Sequence, residues 1–567
     1  MALTRRAFGG LTIGGTAAFT LAACGGNDGD GGSGAGGELV WAISSPWESW
    51  NENTLPGNNS YGHQAMFPMR YGMDGNASGD FDENGDYHLN DAVFADAQVI
   101  SEAPFQVEYT LQENAQWSDG KPIRVEDFIF QWYSTSGKEE HAPQAIAQPA
   151  SVAVGEKIEK IESPEAGKIV VTYVEGHLDF EWLYSATVYL PSHVAEAEGF
   201  ATWQTDPAVM GQAIDWFGKN LSDVSVGPWI PVDSKMGEYI KYELNPNYQG
   251  SVKPSIEKIT MQVVEGTPSI ITEMRQGTIA GSWPSEFSQE ELDKVADDPA
   301  IGQEVYDGSV WLHIDTNMNS EPLKDVALRQ AIFTAINVPD AIARVFPNTE
   351  VNQKLNHFFG PDSPYFVDYI TPSKQGSGDI VAAAEILTTA GYTGAAEGQK
   401  LAKDGTEVPK IVFRFGEGDA TRTTIAELAQ SQLAQIGLEI ELQAIPGGEL
   451  GTVLTEGQFD LVIFGWSGNP AFAASVPQQF GTQVNYGSYS FPEIDAEIDK
   501  ISQTLEIDEA AAAANKVVEL AVARALTLPL FDEPQSYLWN KNMVEGTVVN
   551  GNSQAGPIFN IAEWKLK

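Results

Sequence analysis

Glycine, serine and a downstream base are the parts of an acyl-transfer nucleophile, and Gly465-Trp466-Ser467, at the end of an apolar run, comes close to one. The hydrolase elbow reads Gly-x-Ser-x-Gly, with the serine pushed out at a strand-to-helix turn. Here Asn469 stands at the second glycine, Pro470 interrupts the helix that must follow, and no histidine lies after His357. That triad order needs its base downstream of the serine, so catalysis is not expected. His63, His88, His141, His177, His193, His313 and His357 are scattered and form no His-Glu-x-x-His pair, so zinc has no support. Asp80-Phe81-Asp82-Glu83-Asn84-Gly85-Asp86 matches the opening of a calcium loop, with Asp91 at the twelfth position, where a bidentate Glu is usual. No amphipathic helix leads into it, and Asn84-Gly85 also reads as a hairpin turn, the preferred reading. No cofactor is expected.

What remains suits binding rather than reaction. Ser44, Ser45 and Trp47 follow the first apolar run, beside Trp50 and the amides Asn51, Asn53, Asn58 and Asn59. Aromatics next to amides at a strand end either line a ligand or pack a loop. Trp466, Ser467 and Asn469 stand beyond Leu461-Val462-Ile463-Phe464, and ligands of open α/β sheets gather beyond the carboxyl ends of strands. Trp466 either covers a ligand's face or caps the sheet. Tyr486, like Tyr489, faces ligand or core. Phe415 and Glu417 complete the ligand-binding candidates.

The elements that hold these residues alternate in type. Leu39 to Ile43 is a short buried strand, stopped by Ser44, Ser45 and Pro46. Val93 to Tyr109 reads mostly as strand, with Phe105, Val107 and Tyr109 on one face. Leu328, Ala331, Ile332, Ala335 and Ile336 recur at helical spacing after Asp325 as N-cap. Ile425, Leu428, Ala429, Leu433 and Ile436 form a second stripe, ended by Gly437. Leu438, Ile440 and Leu442 alternate with polar residues as a half-buried strand. Leu461 to Phe464 is apolar throughout, as befits a strand covered on both faces. Ile494, Ile498 and Ile501 make a helical stripe behind Pro492, and Ala510 to Ala525 is rich in the strongest helix former. Leu528 to Phe531 and Ile558 to Trp564 read as closing strands. Helices alternating with buried strands predict α/β layering.

The chain has 567 residues, 42% of them apolar and 14 of them Trp, enough for two or three cores. A net charge of −46 repels phosphate backbones and argues against nucleic acid as a partner. Arg5-Arg6, an uncharged run from Gly9 to Ala23, and the small residues Ala22-Ala23 before Cys24 follow the order of an export signal. The run is shorter than the ~20 residues of a spanning helix. Removal of residues 1–23 takes away both arginines and no acid, leaving an exported chain more acidic still. Cys24 is the only cysteine, so no intrachain disulfide forms. This segment resembles a bacterial lipobox and a twin-arginine export signal, which implies a lipid such as palmitate on Cys24 and a place at the outer face of the cell membrane. Residues 24–37 hold eight glycines and make a flexible tether.

Trp117-Ser118-Asp119-Gly120-Lys121-Pro122, with Asp127-Phe128 beyond, resembles the signature of the family 5 extracellular solute-binding proteins, the peptide and oligopeptide receptors of ABC importers. Val226-Gly227-Pro228-Trp229 through Leu244-Asn245-Pro246-Asn247-Tyr248, then Arg275-Gln276-Gly277, then Asn317 to Ile336, resemble further segments of that family in the same order. The resemblance implies an α/β, periplasmic-binding-protein-like two-lobed fold of type II with an extra inserted domain. Residues 38–75, 191–266 and 526–567 would form the first lobe, 76–190 the inserted domain and 267–525 the second lobe. It also implies a monomer that clasps a peptide or neutral solute and passes it to ABC permease subunits. The alternative is a transporter-independent lipoprotein of the same fold, acting in cell-envelope assembly or regulation. Gly465-Trp466-x-x-Asn469 resembles the family's Gly-Trp-x-x-Asp motif, whose aspartate pairs with a ligand's α-ammonium group. Asn469 cannot neutralise an ammonium group, which is costly to bury unpaired. A neutral solute, a blocked peptide or another acid such as Glu417 or Asp419 is then required.

Overall fold

A single sheet runs through both halves of the protein. Its ten strands are β1 (Glu38–Ile43), β2 (Trp229–Lys235), β3 (Tyr239–Leu244), β4 (Lys258–Val263), β5 (Gly281–Ser282), β6 (Ile301–Thr316), β7 (Ile411–Gly416), β8 (Ile440–Ile445), β9 (Leu461–Ser467) and β10 (Thr527–Asn540). They lie in the order β8-β7-β9-β6-β10-β5-β1-β4-β3-β2. The computed structural model describes residues 37–73, 78–184, 188, 190–284, 287–446, 449–467, 470–482 and 485–567. The export signal, Cys24, nearly all of the tether and Asn469 lie outside the described residues.

β6 and β10, of 16 and 14 residues, are what the two halves share. Ile301–Asp307 pairs antiparallel with Asn540–Pro534, and Trp311–Asp315 with Asp532–Thr527. Between these stretches Gly308, Ser309 and Val310 oppose Glu533 alone, so β6 bulges there and the pair bends. A Cβ on Gly308 would lie 2.6 Å from the Gln535 side chain, which is why the bulge carries a glycine. β6 meets β9 only from Val310 onward, whereas β5 joins β10 at Leu538 and Trp539. Strand directions follow from the pairings. β1 runs parallel to β5 and hence against β10, while β7 and β9 run with it. The carboxyl ends of β1, β7 and β9 therefore point toward the bulge from opposite sides.

Each half has its own core. Trp41, Ile43, Trp229, Tyr242 and Trp564 are buried together in the first, and Leu312, Ile332, Phe413, Leu433 and Leu461 in the second. Burial of side chains this large contributes about 1.5–3 kcal/mol each. A third core lies under a separate antiparallel sheet of Phe94–Glu102, Phe105–Leu111, Lys168–Tyr173 and Ile158–Glu162, packed on helices Val125–Thr135 and Pro207–Lys219. No helix among the described residues is long and apolar enough to cross a membrane.

Helix Val326–Ala335 begins where the spacing predicts, with the Asp325 carboxylate accepting from Ala327 N at 3.0 Å. The same carboxylate takes the Tyr392 hydroxyl and the Lys403 ammonium. Asp325→Ala is expected to cost about 1–2 kcal/mol in denaturant titration, the range for a lost N-cap; a loss below 0.3 kcal/mol (roughly the cost of an uncapped exposed site) would count against this cap. Val93 to Tyr109 is mostly strand, as its pattern predicts, and is folded into a hairpin, Phe94–Glu102 against Phe105–Leu111. One reading needs correction. Ile558 to Trp564 is not a strand: the chain makes 3₁₀ turns at Gly556–Ile558 and Ile561–Glu563 before a short strand at Lys565–Leu566. Pro557 presets the first turn, and the apolar residues are buried because the turns pack into the first core.

Candidate ligand-binding site

β9 is buried through Phe464 and then emerges, leaving Trp466 half-buried at its end. The Trp466 ring stacks on Tyr486 with centroids 5.6 Å apart and planes 5° from parallel. Phe464 sets an edge against both rings. Trp466 sits across from Trp311 of β6, which in turn sits across from Asp532 of β10. Gly465 permits that close approach, since a Cβ there would lie 2.6 Å from the Val310 side chain. Trp466 Nε1 is buried without a hydrogen-bond partner among the described residues. Burial pushes the Tyr486 hydroxyl up, so it remains a protonated donor at neutral pH.

Charges collect beside the bulge. Lys354 Nζ reaches both Asp532 carboxylate oxygens, at 2.8 and 3.0 Å, and lies 5.8 Å over the Trp311 ring. Burial, then the neighbouring Asp532, raises the Asp307 carboxyl above its usual range. Arg422, in the first turn of helix Ala420–Ala434, is held between Asp419 and Glu533, the latter at 3.5 Å. Its Nε is buried without a partner among the described residues. Burial pushes Glu533 up, against the pull of Arg422. With Asp307, Asp419, Asp532 and Glu533 against Lys354 and Arg422, acids outnumber bases here. Stacked rings and a net acidic floor suit the holding of a polar solute. His313 and His357 are buried, and burial pushes His357 down to about 4, so it is neutral and only a weak proton acceptor.

The sequence-derived candidates separate in space. Trp466 and Tyr486 come together. Phe415 closes β7 at the edge of the second core, and Glu417 beyond it is exposed, its N–H donating to Ile445 O at 2.9 Å. Ser44 and Ser45 follow β1, the first nearly buried and the second half-buried. Trp47 is 2% exposed and packs edge-on against Trp50 at 5.7 Å, a member of the first core. Ser467 pairs with Val310 through its backbone. Tyr489 is core, its hydroxyl donating to Leu526 O at 2.8 Å. Sequence reasoning missed Trp311, Lys354, Arg422, Asp532 and Glu533. The one local signal was Asp532-Glu533-Pro534, a polar break in an apolar strand.

The aspartate-rich loop is a hairpin. Gly79–Phe81 pairs with Tyr87–Leu89 around Gly85, whose φ is +83°. Asp82 accepts from Asn84 N and Asp86 N at 2.8 and 2.9 Å, Asp80 from the Ser553 hydroxyl at 3.0 Å, and Asp91 from Ser251 N at 2.9 Å. Among the described residues no three His, Cys, Asp or Glu side chains are grouped to hold a metal.

Comparison with known proteins agrees with this architecture. Residues 92–488 match the family model described as bacterial extracellular solute-binding proteins, family 5 middle. The chain is 27% identical over 461 residues to the oligopeptide-binding protein OppA of Mycobacterium tuberculosis, covering 78% of this chain and 71% of that one. The solved periplasmic EDTA-binding protein EppA superposes with a TM-score of 0.82 at 24% identity, covering 94% of this chain and 97% of that one. The oligopeptide-binding protein AppA of Bacillus subtilis, solved with a nonapeptide, gives 0.69 at 18% identity, covering 94% and 99%. With the matching model spanning well over half its length, this chain belongs to the bacterial extracellular solute-binding proteins of family 5.

Proposed function

We propose that this protein is the lipid-anchored, extracytoplasmic receptor of an ABC importer, capturing a peptide or similar small solute between its lobes and delivering it to a membrane permease. The observation that carries the reading is the convergence of β1, β7 and β9 on the β6–β10 bulge, with the Trp466–Tyr486 stack at that meeting point. A guest touching both halves favours the closed form by its extra affinity for it, and a shared bent strand pair lets the halves approach without breaking either core. We place the lobe boundaries at the bulge, near residues 310 and 532. The inserted unit would extend to about Val226, because Val188, Ala213 and Phe217 share its core. Ser44, Ser45, Phe415, Glu417, Trp466, Ser467, Asn469 and Tyr486 remain the proposed contacts, Cys24 the proposed lipid site. A family of binding proteins needs no chemistry at this place.

The ligand class is open to direct test, since the named relatives include one that binds oligopeptides and one that binds EDTA. Native mass spectrometry of the purified protein, followed by thermal-shift screening of peptides against metal chelates, identifies it. Saturation by one class with stabilisation of several degrees is the expected result; no stabilisation by any of them would sink the importer reading. Asn469→Asp is expected to improve binding of a free-amine peptide about fivefold, as a charged acceptor adds roughly 1 kcal/mol over an amide. Unchanged affinity would remove residue 469 from the ligand contacts.

A further inference from the structure

The inserted unit touches the second lobe through a short segment that follows Lys168–Tyr173. Leu178 N donates to Ser502 O at 3.0 Å. The Phe180 ring meets Phe472 with centroids 4.8 Å apart, at the edge of the aromatic cluster that includes Phe359 and Phe480. The Glu181 carboxylate accepts from Phe472 N at 2.6 Å and from Ala473 N at 3.2 Å. The segment is anchored at its other end in its own unit, where the Tyr109 hydroxyl donates to Trp182 O at 2.6 Å. From the second lobe, Leu505 reaches back into the inserted unit's core. The hairpin tip at Gly85 lies beside Pro470 on the same stretch.

We propose that Leu178 to Glu181 form a clasp by which the inserted unit grips residues 470–473, and that Glu181 is a positioning residue that holds the lobes closed by fixing the chain just beyond Trp466. The clasp consists of protein groups alone, so it acts whether or not a guest is present. Its test uses no ligand and leaves the importer reading standing if it fails. The Glu181 carboxyl oxygen accepts from backbone N–H groups on the facing chain whether or not it carries a proton, and Phe180 adds apolar contact that exists only when the surfaces meet.

The clasp carries its own pH signature. Burial, then Asp179, raises the Glu181 carboxyl to about 8, with the two N–H groups pulling the other way; burial raises Asp179 to about 6. The titratable groups facing Glu181 are Asp179 and Tyr184 of its own segment. Residues 470–473 (Pro-Ala-Phe-Ala) and Ser502, against which it packs, bring no charge. An open form returns Glu181 to the ordinary 4.5 of a solvated carboxyl. The closed form thus binds the extra proton, and closure weakens as pH rises from about 4.5 to about 8.

The experiment is hydrogen exchange by mass spectrometry on the full chain, reading peptides that contain Phe472 and Ala473, with small-angle scattering for the radius of gyration. For Glu181→Ala and Phe180→Ala, exchange at these amides is expected to speed up at least tenfold, with a larger radius. Glu181→Gln keeps an acceptor without charge, so it should retain protection and abolish the pH dependence expected of the parent between pH 5 and 9. Unfolded-peptide rates at each pH correct for intrinsic exchange. Protection and radius in Glu181→Ala equal to the parent's across that range, or a pH dependence that survives in Glu181→Gln, would overturn the proposal.

Discussion

Arg70→Met is expected to cost the fold about 3–5 kcal/mol, the range for breaking a buried ion pair by removing one partner. Arg70 and Glu52 are 5% and 8% exposed, with Nη1 and Oε2 2.7 Å apart. His63 Nδ1 lies 3.3 Å from the same oxygen, and Arg70 Nη2 donates to Trp50 O. The cluster ties the loop after β1 to the helix Ser60–Met66 in the first core. Burial works to raise the Glu52 carboxyl, but Arg70 and then His63 outweigh it and hold it below its ordinary 4.5. The parent's pair therefore stabilises fully above that value and loses its contribution as pH falls through the depressed one. Without Arg70 the burial effect wins, so Glu52 must take up a proton to fold. The variant's deficit should then be larger at pH 8 than at pH 5 in urea titrations. A loss of less than 1 kcal/mol (the usual ceiling for an exposed pair) at both pH values would show that the pair is not buried as described. Glu52→Leu combined with Arg70→Met should recover most of the stability, since an apolar pair of similar volume avoids the stranded charge.

Trp466→Ala is expected to weaken ligand binding about 30- to 100-fold, or roughly 2–3 kcal/mol, as large aromatic anchors do when truncated. The change removes a stacking face, the Nε1 donor and the support beneath Tyr486, whose ring lies parallel to it. An aromatic pair alone contributes about 0.5–1.5 kcal/mol, so Tyr486→Ala should cost less than Trp466→Ala. Trp466 is half-buried at a strand end, so the melting temperature should move only a few degrees. Calorimetric titration with the ligand found by mass spectrometry reads the effect. An affinity within threefold of the parent would take Trp466 out of the site and leave it as a cap on the sheet.

Local patterns gave the sequence its legible parts. Helices at Val326–Ala335 and Ala420–Ala434 and the buried strand at Leu461 showed plainly because each sits in one core with one periodicity. β6 and β10 did not, because each passes from one core to another. β6 bulges midway, and the polar Asp532-Glu533-Pro534 splits β10, so Leu528 to Phe531 looked like a whole strand. Trp47 shows the limit at single residues: an aromatic among amides has the same appearance whether it meets a guest or, as here, Trp50. The charged floor was beyond reach for a different reason. Lys354 and Asp532 stand 178 residues apart, and Arg422 and Glu533 stand 111 apart, so only folding makes them neighbours. In the aspartate-rich loop the hairpin was legible from Asn84-Gly85, and the turn's own backbone N–H groups bond the Asp82 carboxylate.

The shared strand pair has a consequence for how the molecule can come apart. Neither half owns β6 or β10 outright, so neither can be excised as an autonomous folding unit. A recombinant fragment ending near residue 310 would present a long strand with no mate, an invitation to intermolecular pairing and precipitation. Thermal denaturation of the intact chain should accordingly register the two halves as one calorimetric event.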